Sequence, residues 1–400
     1  MPVADTTQFG LIVCVCAAAF LLAVLSSRIS LFLRVPAPAI FLVGAAVAAA
    51  AVPHLSDIPT QTVQRLVTVA LVVILFDGGM HIGWGRFRPV AGPILWLGVA
   101  GTAVTTVGLA AVAHFAFHIG WFESMLLGTA LAPTDPAVVF SVLGGKQVGG
   151  RAGTLLEGES GANDPVGIAL MVALLTAHET GTGAVWHGIG EFATQMIVGA
   201  AAGIAGGLAL RWFIGAVDLP GEGLDAVRAL AGAFLIYGVA TVAHGSGFLA
   251  VLAAGMLIGD AGAKEEHEIR VFHASLASVA EIVAFVVLGL TVDLGALWRD
   301  WAWFIGLVLA IVLAFVLRPV LCGLLLWPVR LARGERLFVL WAGLKGAVPI
   351  LLGVFIVADG IAGYARLYAV IFVVVTFSVV VQGGLVPTVA RRLFVPIAED

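Results

Sequence analysis

Two aspartates, Asp135 and Asp164, interrupt long apolar stretches of the sequence, and their neighbours make them candidates for ion chemistry. Ser160 precedes Asp164 by four residues, so a helix would place the hydroxyl and the carboxylate on one face. Oxygen groups of this kind are hard ligands that suit an alkali cation. In a partly dry cavity a carboxylate can hold a proton instead. A residue that holds either species, but never both, provides the minimal chemistry of exchange.

Prolines and glycines predict two breaks in otherwise apolar helices. Pro133 and Pro136 bracket Asp135, and each proline removes a backbone donor and frees a carbonyl one turn earlier. A counterpart is predicted at Gly343-Leu344-Lys345-Gly346, with Pro349 just beyond it. Within lipid, such a break survives only where it is buried in protein or lines a cavity. Two broken helices in corresponding halves of a chain are typical of the substrate site of a secondary transporter.

These residues must be positioned by membrane-spanning helices, because the composition excludes a soluble domain. Hydrophobic residues make up 61% of the 400 residues and charged residues only 11%. One span needs about 20 mainly apolar residues. About 13 candidate spans follow, at 9–27, 36–53, 62–79, 90–115, 121–142, 153–177, 190–213, 226–243, 246–260, 271–292, 301–326, 336–357 and 366–389. We predict an all-α polytopic membrane protein with an inverted repeat and two discontinuous crossing helices.

The distribution of basic residues predicts the orientation of these spans. Alternating spans place most of the 20 lysines and arginines on one side. Only Arg65, Arg299 and Arg366 fall on the other side, and Arg318 and Lys345 lie within spans. By the positive-inside rule, the N-terminus is outside and the C-terminus is cytoplasmic. We expect residues 1–400 to form a single transmembrane domain without a soluble regulatory domain, and we expect no nucleic-acid partner because the basic residues are scattered.

Several ionisable residues lie inside the predicted spans, where each costs about 2.5–3.5 kcal/mol on insertion scales. Asp135 and Asp164 both fall near the middle of their spans, and matching depth in consecutive spans indicates an ion path. The remaining members of this set are Asp77, Arg318 and Lys345, with Glu159 and Glu281 as further candidates. For Glu281 the simpler interpretation is a polar partner within the bundle.

Four motifs, in order along the chain, resemble those of NhaP-type monovalent cation/proton antiporters, which are relatives of the eukaryotic sodium/proton exchangers. The segment 156–165, Leu-Glu-Gly-Glu-Ser-Gly-Ala-Asn-Asp-Pro, is similar to the family's Asn-Asp signature. The segment 132–136 resembles the Thr-Asp break of the preceding helix, and 341–349 resembles the second crossing helix. Arg318-Pro319 resembles the buried arginine of the family.

The resemblance implies a fold and a role for individual residues. It implies a homodimer in which a core bundle moves against a dimerisation bundle in each protomer. Asp164 would carry either the proton or the alkali cation, which would bind at Asp164, Asp135 and Ser160. The other implied residues are Thr134 beside Asp135, Asn163, an acidic position at Asp77, and a structural ion pair between Glu159 and Arg318. Lys345 stands where the family pattern leads us to expect arginine.

Three functions are compatible with buried aspartates in a membrane. An antiporter fits best, because paired breaks and one shared carboxylate favour alternating access over the continuous pore of a cation channel. An intramembrane aspartyl protease would need Asp135 and Asp164 as a dyad, but neither carries a Gly-Xaa-Gly-Asp motif. We therefore expect a transporter and not an enzyme, without a cofactor, in the plasma (inner) membrane. Its partners would be a monovalent cation, the proton and the lipid bilayer.

Overall fold

The computed structural model describes residues 10, 14, 17, 21, 36–143, 148–180, 184–217, 223–260 and 266–397. In this part of the chain helices dominate, and the β-type pairing is a single isolated bridge between Val148 and Ile397. The helices are α1 (Ala37–Ala51), α2 (Thr60–Ile82), α3 (Trp84–Phe117), α4 (Trp121–Leu131), α5 (Pro136–Val142), α6 (Gly150–Thr180), α7 (Ala184–Ala216), α8 (Leu224–Val242), α9 (Gly247–Ile258), α10 (Glu266–Leu290), α11 (Arg299–Leu325), α12 (Arg333–Trp341), α13 (Ala347–Ala358) and α14 (Tyr364–Arg392). The predicted all-α membrane fold is confirmed.

Among the described residues, 8 helices are long and apolar enough to cross a membrane, or 9 if the bent pair α4 and α5 is one span. Helices α1, α9 and α13 are apolar but shorter. The predicted span 9–27 lies almost entirely outside the described residues, and every other predicted span coincides with a helix or a broken helix pair. The chain is thus a multi-pass membrane protein, although the predicted count of 13 is not reached by this criterion.

The helices pack into two groups. Helices α1, α2, α7, α8, α9 and α10 contact one another and form what we name the opposing bundle. Helices α3, α4, α5, α11, α12, α13 and α14 form the break bundle, which contains both interrupted helices. Helix α6 contacts both groups. Helix α6, which carries Ser160, Asn163 and Asp164, therefore lies where the two bundles meet.

Close backbone approach holds the opposing bundle together. A Cβ at Gly203 would lie only 2.5 Å from the carbonyl oxygen of Ala250, and one at Gly199 would lie 2.6 Å from that of Ser246. Gly207 follows the same stripe against Ala254. Small residues let membrane helices approach in this way. The glycine stripe of α7 therefore packs against α9 within one subunit.

Both predicted breaks are present. Helices α4 and α5 meet at an angle of 44°, and α12 and α13 are separated by the non-helical residues 342–346. The two interruptions touch each other, because the backbone N–H of Asp135 donates to the carbonyl oxygen of Leu344 at 2.8 Å. The fold thus brings together segments that lie about half the chain apart.

Candidate functional site

The first break positions Asp135 at the start of a helix. Asp135 is extended (φ −127°, ψ 116°) and caps α5, because its Oδ1 accepts from the backbone N–H of Ala137 at 2.8 Å. Pro136 fits the first helical position, where an N–H would have no partner. The backbone N–H of Ala347, the first residue of α13, also faces this carboxyl. Asp135 therefore lies at two helix N-termini, whose dipoles stabilise negative charge.

Glycine is required at the point where the second break meets the first. A Cβ at Gly346 would clash with the carboxyl group of Asp135, and a Cβ at Gly343 would clash with the guanidinium of Arg318. The two glycines therefore allow the backbone of the second break to touch one charged side chain on each side.

Lys345 has the clearest role among the residues whose function the sequence left open. Its side chain is buried, with 2% exposure, and its Nζ donates to the carbonyl oxygens of Ala132 and Pro133, each at 2.9 Å. These carbonyls end the first half-helix and have no helical donors. The ammonium group of the second break thus caps the first.

Arg318 caps the half-helix α12, which precedes the second break. Its Nε donates to the carbonyl of Leu340 at 3.0 Å and its Nη2 to that of Val339 at 3.3 Å, at the end of α12. Nη2 also lies 3.0 Å from Oε1 of Glu159, so the predicted ion pair is present in the geometry. Both partners are buried. Arg318 lies in a π-helical stretch, Leu313–Cys322, a distortion that often marks functional sites.

Two further polar residues support the second break and were missed in the sequence. Ser378 Oγ accepts from the backbone N–H of Lys345 at 3.0 Å, and Gln382 Nε2 donates to the carbonyl of Trp341 at 2.7 Å. Both lie in the π-helical stretch Ser378–Gly383 of α14. The available signal was a polar pair four residues apart in an otherwise apolar span. Nothing in the sequence alone shows which backbone groups such a pair reaches.

A hydrogen-bonded cluster joins the first break to α6. Asn163 Nδ2 donates to Thr134 Oγ1 at 2.8 Å, and its Oδ1 accepts from the backbone N–H of Thr134 at 3.2 Å. The hydroxyls of Thr134 and Ser160 lie 3.1 Å apart. All three residues are buried. Asn163 therefore positions Thr134, whose hydroxyl contacts Ser160. Ser160 lies one turn before Asp164 on the same face of α6.

Asp164 is half-buried, and among the described residues no hydrogen bond engages its carboxyl group. The charges that act on it are those of Asp135 and Lys345. No group of three or more His, Cys, Asp or Glu side chains within the described ranges could hold a metal ion. A cation here would depend on a mixture of carboxylate, hydroxyl and carbonyl oxygens, as the sequence predicts.

Asp77 lies outside this cluster. Its Oδ2 is 3.3 Å from Nδ1 of His81, one turn further along α2, and the same nitrogen is 3.0 Å from the Asp77 carbonyl oxygen. The Oδ1 of Asp77 is buried and has no hydrogen-bond partner among the described residues. The structure therefore joins Asp135, Thr134, Ser160, Asn163 and Asp164 around the breaks, and it places Asp77 against His81.

Known proteins resemble this chain in sequence and in fold. The chain is 34% identical over 337 residues to the K(+)/H(+) antiporter NhaP2 of Shewanella sp. (strain ANA-3), an alignment covering 83% of this chain and 58% of the relative. It is 27% identical over 377 residues to the Na(+)/H(+) antiporter NhaH of Halobacillus dabanensis, covering 89% and 91%. The chain thus spans little more than half the length of the NhaP2 relatives.

A comparison with solved structures also finds a similar fold. The fold matches that of the sodium proton antiporter MjNhaP1 from Methanocaldococcus jannaschii with a TM-score of 0.81 and 20% identity, over 96% of this chain and 99% of that one. Neither comparison supports a channel or a protease. A sequence model described as "Sodium/hydrogen exchanger, transmembrane" matches residues 17–392. The chain therefore belongs to the transmembrane sodium/hydrogen exchanger family.

Proposed function

We propose that this protein is a secondary active antiporter that exchanges a monovalent cation, one of Na+, K+ or Li+, for a proton. The observation that carries the proposal is the Asp164 carboxyl group, which is half-buried, has no hydrogen-bond partner among the described residues, and lies beside the paired breaks. Because this carboxyl group makes no hydrogen bond to the described residues, it is available to bind a proton or a cation.

The ligands of the cation are oxygens around Asp164. Ser160 and Thr134 supply hydroxyl oxygens, and Asp135 supplies a second carboxylate that is stabilised by helix N-termini. Asn163 holds Thr134 in place and cannot itself release a proton. Asp77 is a further ion-binding residue: its Oδ2 faces His81, but its Oδ1 is buried and has no hydrogen-bond partner among the described residues.

The charges around the site favour one-for-one exchange. Asp135 and Asp164 carry two negative charges, and Lys345, which acts on Asp164, carries one positive charge. One further positive charge makes this set neutral, and either a monovalent cation or a proton provides it. Burying unbalanced charge is costly, so a neutral set crosses the membrane most easily. Exchange is therefore electroneutral.

Alternating access follows from the two bundles. The break bundle carries Asp135 and moves against the opposing bundle, so that Asp164 faces one side of the membrane at a time. The protein acts as a homodimer in the plasma (inner) membrane, with residues 1–400 as one transmembrane domain, the N-terminus outside and the C-terminus cytoplasmic. Light scattering of the purified protein tests the dimer.

Proteoliposomes provide the functional test. Vesicles that contain the protein and a pH-sensitive dye are given an outward cation gradient, and proton entry is recorded for Na+, K+ and Li+ in turn. We expect proton movement only when a transported cation moves in the opposite direction. Cation efflux that proceeds without any matching entry of protons would identify a channel and overturn the proposal.

A further inference from the structure

Glu281 is a partly buried acid that the proposed mechanism does not use. It lies in the middle of α10, in the opposing bundle, where its Oε1 is fully buried and has no hydrogen-bond partner among the described residues. The sequence favoured a polar partner for it within the bundle, and Oε1 has none in the described part of the chain. The residue as a whole is only half-buried.

The charge that reaches Glu281 is negative. Asp135 is the charged group that acts on it from across the boundary between the two bundles. Helix α10 packs against α13, and the backbone N–H of Ala347, the first residue of α13, faces the Asp135 carboxyl group. The helices that pack most closely on α10 are α1, α2, α8 and α13. Helices α1 and α13 have no ionisable residue, and the charged residues of α2 and α8 are Arg65, Asp77, Asp225 and Arg228, with His81 also in α2. Arg228 is already paired with Asp225.

An ionised Glu281 would therefore have one fully buried oxygen and no counter-ion on the helices packed against it, with Asp135 as a further negative charge. That arrangement is strongly unfavourable, and a buried acid in this situation is neutralised by binding a proton. An ionised Glu281 would also add a third negative charge to Asp135 and Asp164. One monovalent cation could then no longer make the site neutral.

We propose that Glu281 is a protonated carboxylic acid that faces the transport site from the opposing bundle and sets its net charge. Glu281 does not bind the cation. It acts on the site through its charge. Because a protonated Glu281 is neutral, the negative charges of Asp135 and Asp164 are the ones that one cation or one proton has to balance. This inference rests on the proposed antiport at Asp164, and it adds a proton that stays bound while the carried proton is exchanged.

Infrared spectroscopy of the purified protein tests the proton directly and needs no transport. Spectra are recorded at neutral pH in a saturating concentration of the transported cation, so that Asp164 holds the cation and not a proton. We expect a C=O stretching band of a protonated carboxyl group, and we expect Glu281→Gln to remove it. Glu268→Gln is the matched control, because Glu268 is an exposed acid at the start of the same helix. A wild-type spectrum whose carboxyl bands do not change in Glu281→Gln would overturn the proposal.

Cation affinity tests the effect on the site. Glu281→Gln replaces a neutral acid with a neutral amide, so the cation KM should stay within about threefold of wild type, whereas the positive charge of Glu281→Lys should raise it by at least about tenfold. Equal KM increases in both variants would contradict a neutral Glu281. If neither the wild type nor Glu281→Gln exchanged ions but the infrared band was lost as expected, the proposed antiport would fail and the protonated Glu281 would stand.

Discussion

The ammonium nitrogen of Lys345 lies 2.9 Å from the carbonyl oxygen of Pro133, so the side chain of the second helix break caps the first. Arg318 donates in the same manner to the end of the half-helix that precedes the second break. Each broken helix thus ends at a buried cation, which satisfies free carbonyls and opposes the negative end of the helix dipole. These two side chains therefore stabilise the ends of the half-helices that precede the two breaks.

Replacing Lys345 tests this capping. Lys345→Met keeps the length of the side chain but removes the charge and both donors, and losing hydrogen bonds from a charged group costs about 1.5–3 kcal/mol each. We expect a clear fall in the thermal unfolding temperature in detergent, together with loss of exchange. Arg392→Met, at an exposed position, is the control and should melt like wild type. A Lys345→Met protein as stable as the control would show that the cap is dispensable.

The close contact between the breaks makes a second prediction. A Cβ at Gly346 would clash with the Asp135 carboxyl, so Gly346→Ala must push the two breaks apart. We expect exchange to fall by about tenfold or more, because displacing catalytic or binding groups by even 1 Å can cost about a hundredfold. Gly238→Ala provides the control, since a Cβ there meets nothing within 4 Å. Exchange at the control rate in Gly346→Ala would refute the contact.

The ion pair between Glu159 and Arg318 predicts a graded loss of stability. Removing one partner of a buried pair costs about 3–5 kcal/mol. Arg318→Ala should destabilise the protein more than Glu159→Gln, because Arg318 also donates to the carbonyls of Leu340 and Val339. Thermal unfolding of both variants and of the double variant measures the coupling. If Arg318→Ala melts like wild type but is inactive, Arg318 belongs to the ion path.

The sequence predicted the positions of the breaks because their cause is local. Pro133 and Pro136 lack backbone donors wherever they are placed, and a charged residue such as Asp135 or Lys345 in an apolar span is visible without coordinates. The partners of Lys345 could not be predicted in this way. They are backbone carbonyls more than 200 residues away, and a carbonyl has no residue type that a sequence can reveal.

Ser378 and Gln382 escaped prediction for a related reason. Both lie in the π-helical stretch of α14, and their partners are backbone groups of the second break, which no residue type marks in a sequence. The family resemblance pointed to Asp77 but not to its contact with His81. That contact could have been predicted, because the two residues are four apart on one helix. The part of Asp77 in ion transport remains a prediction.

The stoichiometry can be tested with an imposed membrane potential. Moving one elementary charge through a potential costs about 2.3 kcal/mol per 100 mV, whereas a neutral exchange is insensitive to voltage. We expect the exchange rate and its reversal point to stay constant when an ionophore for a non-substrate ion clamps the potential of proteoliposomes. A reversal point that moves with voltage would show that a second charge crosses, and one-for-one exchange would be wrong.

The central claim is that the Asp164 carboxyl holds the proton and the cation in turn. The most direct measurement compares wild type with Asp164→Asn in proteoliposomes, after equal insertion and equal thermal stability have been checked. The amide keeps the shape of the side chain but cannot exchange a proton or balance a cation. We predict cation-dependent proton flux in the wild type and none above empty vesicles in Asp164→Asn. Wild-type exchange by the folded Asp164→Asn protein would contradict the account.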